Sequence, residues 1–136
     1  MLEFPNIQSR GFRNLKEGNA VIGFQVPVRL TYYRGVWLPQ LRPTTVKVDG
    51  EKFEGDQITW VIDGKSYLQA DLPNFPDIQW SCLSPAILQV KKPGGLPLGI
   101  HDVEVKIIFS TSYLPPQMDL GFAGEEPYKR RMTLVR

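Results

Sequence analysis

The chemistry open to this chain is limited by its supply of reactive side chains. Its 136 residues include one histidine, His101, and one cysteine, Cys82. A catalytic metal site commonly uses three or more protein ligands, with histidine favoured. The carboxylates of Asp49 and Asp63 precede glycine and suit tight turns better than a metal site. We therefore predict that this chain holds no metal ion or other cofactor.

A nucleophile paired with a base is the other route to catalysis, and here it would need His101 and Cys82. No serine lies in a nucleophile-elbow sequence. His101 shares strand parity with Val103 and Val105, which favours an inward position at one end of a sheet, with a polar contact to a partner or ligand as the alternative. Cys82 is expected to be a small buried side chain. A small enzyme that uses these two residues is the weakest of three functional hypotheses.

Two aromatic segments have the composition of contact surfaces. The first surrounds Gly35, and the second is the stretch 111–127, which shows no evident secondary structure but is too apolar for a disordered linker. Tyr, Trp, Arg, Met and Phe are the residue types enriched at protein interfaces. For the second segment, covering an open edge of the sheet is an equal alternative; the first segment has the same alternative, but there contact is favoured. The residues predicted to face a partner or substrate are Tyr32, Tyr33, Arg34, Trp37, Tyr113, Leu114, Met118 and Phe122.

The first aromatic segment follows the clearest alternation in the chain. Between residues 22 and 30 every second position is apolar: Ile22, Phe24, Val26, Val28 and Leu30. This period of two predicts a long strand with one buried face and one wet face. Proline lacks the N–H that a ladder needs, so position 27 predicts that the strand is bulged or at a sheet edge there.

The remaining chain predicts an all-β fold. Twelve prolines and twelve glycines are spread along it, which disfavours long helices and favours turns. Apolar alternation predicts further strands over 7–13, 44–48, 58–62, 65–68, 86–90, 101–110 and 128–135. Seven to nine strands joined by short turns predict a single domain over residues 1–136. We expect an antiparallel two-sheet β-sandwich, immunoglobulin-like, with one long ordered loop near the C-terminus.

Overall composition describes an ordinary globular chain. It is 42% hydrophobic and 22% charged, with a net charge of +2, which gives no electrostatic reason to expect nucleic acid or a membrane surface as partner. There is no apolar run of 18 residues and no signal-peptide pattern at the N-terminus. The expected location is the cytoplasm.

Six sequence stretches, in order along the chain, carry a family resemblance. They are IQSRGFRN (7–14), GFQVPVRLTYYRG (23–35), VKVDGE (46–51), KKPGGLPLGIHDVEV (91–105), SYLPP (112–116) and KRRMTL (129–134). On these stretches the chain resembles the beta (small) subunit of bacterial C-glycoside deglycosidases. None of the stretches is a catalytic signature by itself.

The resemblance implies a heteromeric lyase of carbohydrate metabolism. Such enzymes break the carbon–carbon bond between the sugar and the aromatic aglycone of C-glucosides, flavonoid C-glucosides among them, after oxidation to the 3-oxo form. The ketone acidifies the neighbouring C–H, so that proton abstraction sets up elimination of the aglycone. A larger alpha subunit of TIM-barrel type is expected to carry the general base and a divalent metal, manganese. The beta subunit would then be a non-catalytic β-sandwich that stabilises the alpha subunit and lies at or near the substrate pocket.

The alternative function is a stand-alone carbohydrate-binding module, in which Tyr32, Tyr33 and Trp37 would form a stacking platform for sugar rings. A test separates contact residues from core residues. If the segments bind a partner, Trp37→Ala together with Phe122→Ala should weaken subunit association more than it lowers the melting temperature.

Overall fold

The structure, a computed structural model, describes residues 2–3, 5–30, 34–110 and 127–135, and the backbone alone of residues 122–123. Within these ranges there are thirteen strands and three 3₁₀ helices. The strands are β1 (Arg13–Glu17), β2 (Ala20–Val28), β3 (Val36–Trp37), β4 (Thr45–Val48), β5 (Glu51–Phe53), β6 (Ile58–Ile62), β7 (Lys65–Leu68), β8 (Gln79–Trp80), β9 (Ala86–Lys91), β10 (Gly99–Lys106), β11 (Phe109–Ser110), β12 (Phe122–Ala123) and β13 (Tyr128–Leu134). The 3₁₀ helices are Leu38–Gln40, Gly55–Gln57 and Gln69–Asn74.

Nine of the described strands pair into two sheets. The larger sheet has the order β1-β2-β9-β6-β7, and the smaller sheet has the order β13-β10-β4-β5. The two-residue strands form two further pairs, β3 with β8 and β11 with β12. All of these pairings are antiparallel. The predicted all-β class with antiparallel sheets is confirmed. The immunoglobulin-like arrangement is consistent with this strand order and stays a prediction.

The two larger sheets share one apolar core. Buried side chains from both belong to a single cluster, and an edge-to-face ring contact crosses between the sheets: Phe24 of β2 meets Phe53 of β5 with the ring centroids 5.3 Å apart. Trp60 and Trp80, both 0% exposed, make a second edge contact at 5.5 Å. Because aromatic side chains remove large apolar areas from water, these rings dominate the packing between the layers.

Strand β2 is confirmed where the alternation predicted it, with one local departure. Phe24, Val26 and Val28 are completely buried. Ile22 was expected on the same buried face but is 42% exposed. The pairing with β1 explains this: Gly23 is opposite Leu15 and the next pair joins Val21 to Lys16, so that Ile22 is an extra residue. Such a β-bulge reverses the parity of the strand.

The outward face of β2 is covered at its second half, contrary to the expected wet face. Gln25 is 4% exposed, and its side-chain amide donates to the carbonyl of Gly11 at 2.9 Å. Pro27 is also buried, against the same Gly11. The carbonyl of Pro27 accepts the N–H of Gln8 at 2.9 Å. This side of β2 therefore faces the N-terminal segment that precedes β1. Strand β2 is therefore not an edge strand: β9 pairs with it at the proline on one side, and the ladder with β1 ends at Gln25 on the other.

The N-terminal segment is held in place by Glu3. Its carboxylate accepts the backbone N–H groups of Ser9 at 2.8 Å and Arg10 at 3.0 Å, and it pairs with Arg130 of β13 at 3.0 Å. Burial alone would raise the pKa of Glu3, but hydrogen bonds from Ser9 and Arg10 and the charge of Arg130 lower it to about 2. This anchor holds the segment across the ends of both sheets.

Two predicted strands have different bounds from those expected. The strand predicted over 101–110 is interrupted after β10, because the backbone N–H of Arg42 donates to the carbonyl of Ile108 and Leu41 forms an isolated bridge with Phe109. The chain thus leaves the smaller sheet before β11. The first strand, predicted over 7–13, begins only at Arg13, and Ile7 makes a single bridge to Val28.

The two Asp-Gly pairs form the tight turns that the sequence predicted. Asp49 and Gly50 have φ values of 50° and 90° between β4 and β5, and Asp63 and Gly64 have φ values of 51° and 82° between β6 and β7. Two successive positive φ values match the hairpin turn whose twist suits antiparallel strands. Both aspartates therefore serve the backbone turn, and the carboxylate of Asp49 also bonds to β10 through His101 and the backbone N–H of Asp102.

Candidate functional site

The structure describes only part of the predicted contact surface. Arg34 and Trp37 are described in full, and Phe122 by its backbone in β12. Tyr32, Tyr33, Tyr113, Leu114 and Met118 lie outside the described residues. The structure therefore shows the contacts that hold the two aromatic segments in place, and these contacts are called their anchors.

The anchor of the first segment is a tight backbone turn at Gly35. Its φ of +74° is unfavourable for other residues, and a Cβ there would lie 2.7 Å from the side-chain amide of Gln79. That amide donates to the carbonyl of Arg34 at 3.0 Å. Strand β3 then pairs with β8, which sets Val36 opposite Trp80. The turn is thus fixed against a completely buried tryptophan.

The anchors of the two segments are joined by one buried glutamine. Gln40 is 8% exposed, and its side-chain oxygen accepts the backbone N–H of Trp37 at 2.9 Å. Its side-chain amide donates to the carbonyl of Ser110 at 2.9 Å. Ser110 is paired with Phe122 in the β11–β12 ladder, so Gln40 connects the first segment to the residue that precedes the second segment and, through that residue's pairing, to Phe122 within it. We call Arg34, Gly35, Trp37, Gln40 and Ser110 the aromatic end.

The three tryptophans have different environments. Trp60 and Trp80 are completely buried, and their indole N–H groups donate to Gln69 and Ser84 at 3.1 Å each. Trp37 is only partly buried. Of the three, only Trp37 is placed to contact a partner or ligand.

The single histidine is fully engaged within the fold. His101 is 5% exposed; its Nδ1 lies 2.6 Å from the carboxylate of Asp49, and its Nε2 lies 2.6 Å from the carbonyl of Pro97. A carbonyl can only accept, so Nε2 carries a proton. Burial alone would lower the pKa of His101, but the Pro97 carbonyl and the Asp49 carboxylate outweigh it and raise the pKa above 6.5. The backbone N–H of Asp102 and the His101 ring lower the pKa of Asp49. The expected inward position is confirmed.

Reactive groups do not converge around this histidine. Its two ring nitrogens bind Asp49 and Pro97 rather than Cys82, a free thiol that is partly rather than fully buried. Within the described ranges, no three side chains among His, Cys, Asp and Glu are grouped so as to hold a metal ion. The resemblance assigns the divalent metal to the larger subunit, and that assignment stays a prediction.

A cavity of about 510 Å³ adjoins the aromatic end. It lies between the 3₁₀ helices Gly55–Gln57 and Gln69–Asn74, with walls of Leu41, Ala70 and Leu72. The polar groups of Thr44 and Gln69 in its wall bond to each other, since the backbone N–H of Thr44 donates to the Gln69 side chain and that side chain donates back to the Thr44 carbonyl. The cavity can admit apolar groups, and none of the described residues in its wall is aromatic.

Sequence reasoning missed Gln40 as the residue that joins the two segments. Its partner carbonyl at Ser110 is 70 residues away, and a glutamine in a Leu-Pro-Gln turn has no local feature that marks it as buried. The signal that was available is Gly35, whose position between aromatic residues indicates a constrained turn.

Described helices of this chain include none of the length and apolar character needed to cross a bilayer.

The fold and the aromatic end define a class: a β-sandwich whose two aromatic segments are anchored together at one end. Comparisons with known proteins narrow the class. A sequence profile described as C-glycoside deglycosidase beta subunit matches residues 2–113. A protein of Eubacterium cellulosolvens named C-glycoside deglycosidase beta subunit is 48% identical over 135 residues, which cover 98% of this chain and 90% of that protein. The chain belongs to the C-glycoside deglycosidase beta subunit family.

Proposed function

We propose that this chain is the non-catalytic subunit of a heteromeric C-glycoside deglycosidase. The observation that carries the proposal is family membership over nearly the whole length, because a beta subunit acts with a partner subunit. The fold supplies what such a subunit needs, a rigid sandwich with two aromatic segments anchored side by side through Gln40. The aromatic end would contact the larger subunit and lie near its substrate pocket.

The reaction proposed for the complex is carbon–carbon bond cleavage in a 3-oxo-C-glucoside, by proton abstraction next to the ketone and elimination of the aromatic aglycone. The general base is assigned to the larger subunit, of TIM-barrel type, together with a divalent metal that would stabilise developing negative charge. This chain would contribute binding surface and exclusion of water, and no proton transfer.

His101 supports this division of labour. A general base needs a nitrogen that can accept a proton from substrate. Both ring nitrogens of His101 are occupied by Asp49 and Pro97 in a site that is 5% exposed. The hypothesis of a small enzyme that uses His101 and Cys82 is not supported by this geometry.

The carbohydrate-binding module remains the alternative, with Trp37 as its described residue. The other two rings of the proposed stacking platform, Tyr32 and Tyr33, lie outside the described residues. The module predicts saturable binding of glycosides by the isolated chain, whereas a subunit predicts none without its partner.

Co-expression tests the proposal. This chain and the large subunit from the same organism should co-purify in a fixed ratio, and only the pair should release aglycone from a 3-oxo-C-glucoside. A chain that stays apart from the large subunit, or that cleaves the substrate alone, contradicts the proposal.

A further inference from the structure

The outer face of the larger sheet is uncharged over three adjacent strands. The pairings of β6 with β9 and of β6 with β7 place six outward side chains next to one another. Val61 and Ile87 are opposite each other and half-buried, and Leu68, at 53% exposed, is opposite Thr59 on β7. The six side chains of this uncharged face are Thr59, Val61, Ser66, Leu68, Ile87 and Gln89.

The outer face of the smaller sheet is built in the opposite way. Its outward positions are mainly charged, and the charges satisfy one another: Glu104 lies 3.3 Å from Lys129 and 4.0 Å from Lys47, and Arg131 lies 2.8 Å from Asp102. Because paired surface charges remain solvated at little cost, this face is suited to water. The difference marks the uncharged face as the one that gains from being covered.

A protruding leucine and a small cavity stand at one end of the uncharged face. Leu83 is 83% exposed, the most exposed large apolar side chain of the described residues. It borders a cavity of about 280 Å³ whose other apolar walls are Leu2, Pro27 and Pro85. Pro27 pairs with Ile87 across β2 and β9, so this cavity continues the uncharged face. Leu83 could insert into a pocket of a partner, and the cavity beside it could accept an apolar side chain from that partner.

Basic side chains surround this surface. Arg13 lies on β1 opposite Gln25, Lys91 ends β9, and Arg10 lines the cavity beside Leu83. None of the three makes an ion pair with a carboxylate of the described residues, whereas Lys47, Lys129 and Arg131 of the other face do. An uncharged centre with a positive border is complementary to a surface that is uncharged in the middle and acidic around it.

The surface is also continuous with the aromatic end. The indole N–H of Trp80 donates to the carbonyl of Ser84, which follows Leu83 in the chain. The backbone carbonyl of Trp80 lies against Gly35 of the aromatic end. Three strands span only about 14 Å, whereas a standard interface buries about 800 Å² on each partner. The uncharged face therefore suits the centre of a larger interface that reaches the aromatic end.

We infer that the uncharged face, with Leu83 and the border of Arg10, Arg13 and Lys91, is the docking surface for the large subunit of the deglycosidase. The inference rests on the proposed function and adds to it the part of the sandwich that binds and the character of the surface that it meets.

The test measures binding of variants to the large subunit by surface plasmon resonance. Leu83→Glu, which places a charge on the most exposed apolar side chain of the proposed interface, should raise Kd about 30-fold or more. Its control is Ile100→Glu, because Ile100 is 68% exposed on the outer face of the smaller sheet. Lys91→Glu, a border variant, should lower the association rate about 10-fold at low salt and much less at high salt. Its control is Lys106→Glu, since Lys91 ends β9 as Lys106 ends β10.

The outcomes separate the inference from the proposed function. Binding by the wild type and by both controls, with loss in Leu83→Glu, supports the inference. Equal binding by Leu83→Glu and wild type overturns the inference and leaves the proposed function standing. No binding by the wild type overturns the proposed function. A wild-type chain that is dimeric alone and made monomeric by Leu83→Glu would show a second copy as the occupant, and would also overturn the inference. Equal melting temperatures of the variants establish that each is folded.

Discussion

The two outer faces of the sandwich share an antiparallel ladder and differ in what their outward positions carry. On the smaller sheet, Asp102 and Glu104 of β10 are opposite Arg131 and Lys129 of β13. On the larger sheet, the equivalent central positions hold Gln89 and Ile87, opposite Thr59 and Val61. Both arrangements are compatible with an antiparallel ladder, since the ladder hydrogen bonds join backbone groups. The choice of outward residues is thus free to serve solubility on one face and contact on the other.

This comparison shows why burial alone does not locate a contact surface. The inward residues of both sheets are equally buried, as Val46 and Leu88 illustrate at 0% exposed. The two sheets differ in their outward residues: those of the smaller sheet carry charges that pair with one another, and those at the centre of the larger sheet are uncharged. A face whose charges are already paired gains little from a second protein, whereas an uncharged face bordered by cations that have no carboxylate partner among the described residues gains more.

The largest expected effect comes from the core that the two sheets share. Trp60→Ala should destabilise the chain by about 3–5 kcal/mol, because it removes a completely buried indole and leaves a cavity beside Trp80. Urea unfolding followed by tryptophan fluorescence and by circular dichroism should show one coincident transition. Trp37→Ala, at a partly buried position, should cost much less. If the two probes separate, the sheets do not depend on a common core.

A smaller effect on the free energy of unfolding is expected from pH, because His101 and Asp49 form a titratable pair in the smaller sheet. The pKa of His101 is raised in the folded state, so its contribution to stability is complete below its unfolded value of 6.5 and is lost as pH rises through the folded pKa. The lowered pKa of Asp49 makes the same pair weaken as pH falls below 3.8.

Melting temperatures between pH 6 and 9 check this dependence. The wild type should lose stability as pH rises across this range, and His101→Gln should be less stable at pH 6 but flatter. A wild type that gains stability towards pH 9 would show that His101 is neutral in the folded chain.

The smallest expected effects come from exchanging outward side chains between the faces. Glu104→Gln removes two surface ion pairs, and Gln89→Glu places one charge on the uncharged face. Each should change the free energy of unfolding by no more than about 1 kcal/mol. Only Gln89→Glu should weaken binding to the large subunit in a pull-down at matched concentrations. Equal weakening by both variants would remove the distinction between the faces.

Strand identity and inward residues could be predicted because the alternation is local. Val46, Trp60, Leu88 and Met132 all lie inward as their spacing indicated. The bulge at Ile22 could not be predicted, because it depends on the register with β1. The break after β10 likewise depends on a distant carbonyl contact with Arg42.

The outer faces of the two sheets likewise differ in how far the sequence alone predicts them. Outward charges on β10 were evident from its own sequence, which alternates Val103 and Val105 with Asp102 and Glu104. The uncharged face required knowledge that β9 lies between β2 and β6, and no segment's own pattern contains that order. The residue types of the aromatic segments suggested contact from sequence alone, and for Tyr32 or Tyr113 this stays a prediction.

Hydroxyl-radical footprinting of the unmodified chain, free and bound to the large subunit, tests the account most directly. Leu83 and Leu68 report on the uncharged face, and Ile100 and Val135 report on the outer side of the smaller sheet, all at least 53% exposed in the free chain. The account predicts that complex formation slows oxidation of Leu83 and Leu68 and leaves Ile100 and Val135 unchanged. Protection of Ile100 and Val135 with continued oxidation of Leu83 would contradict it.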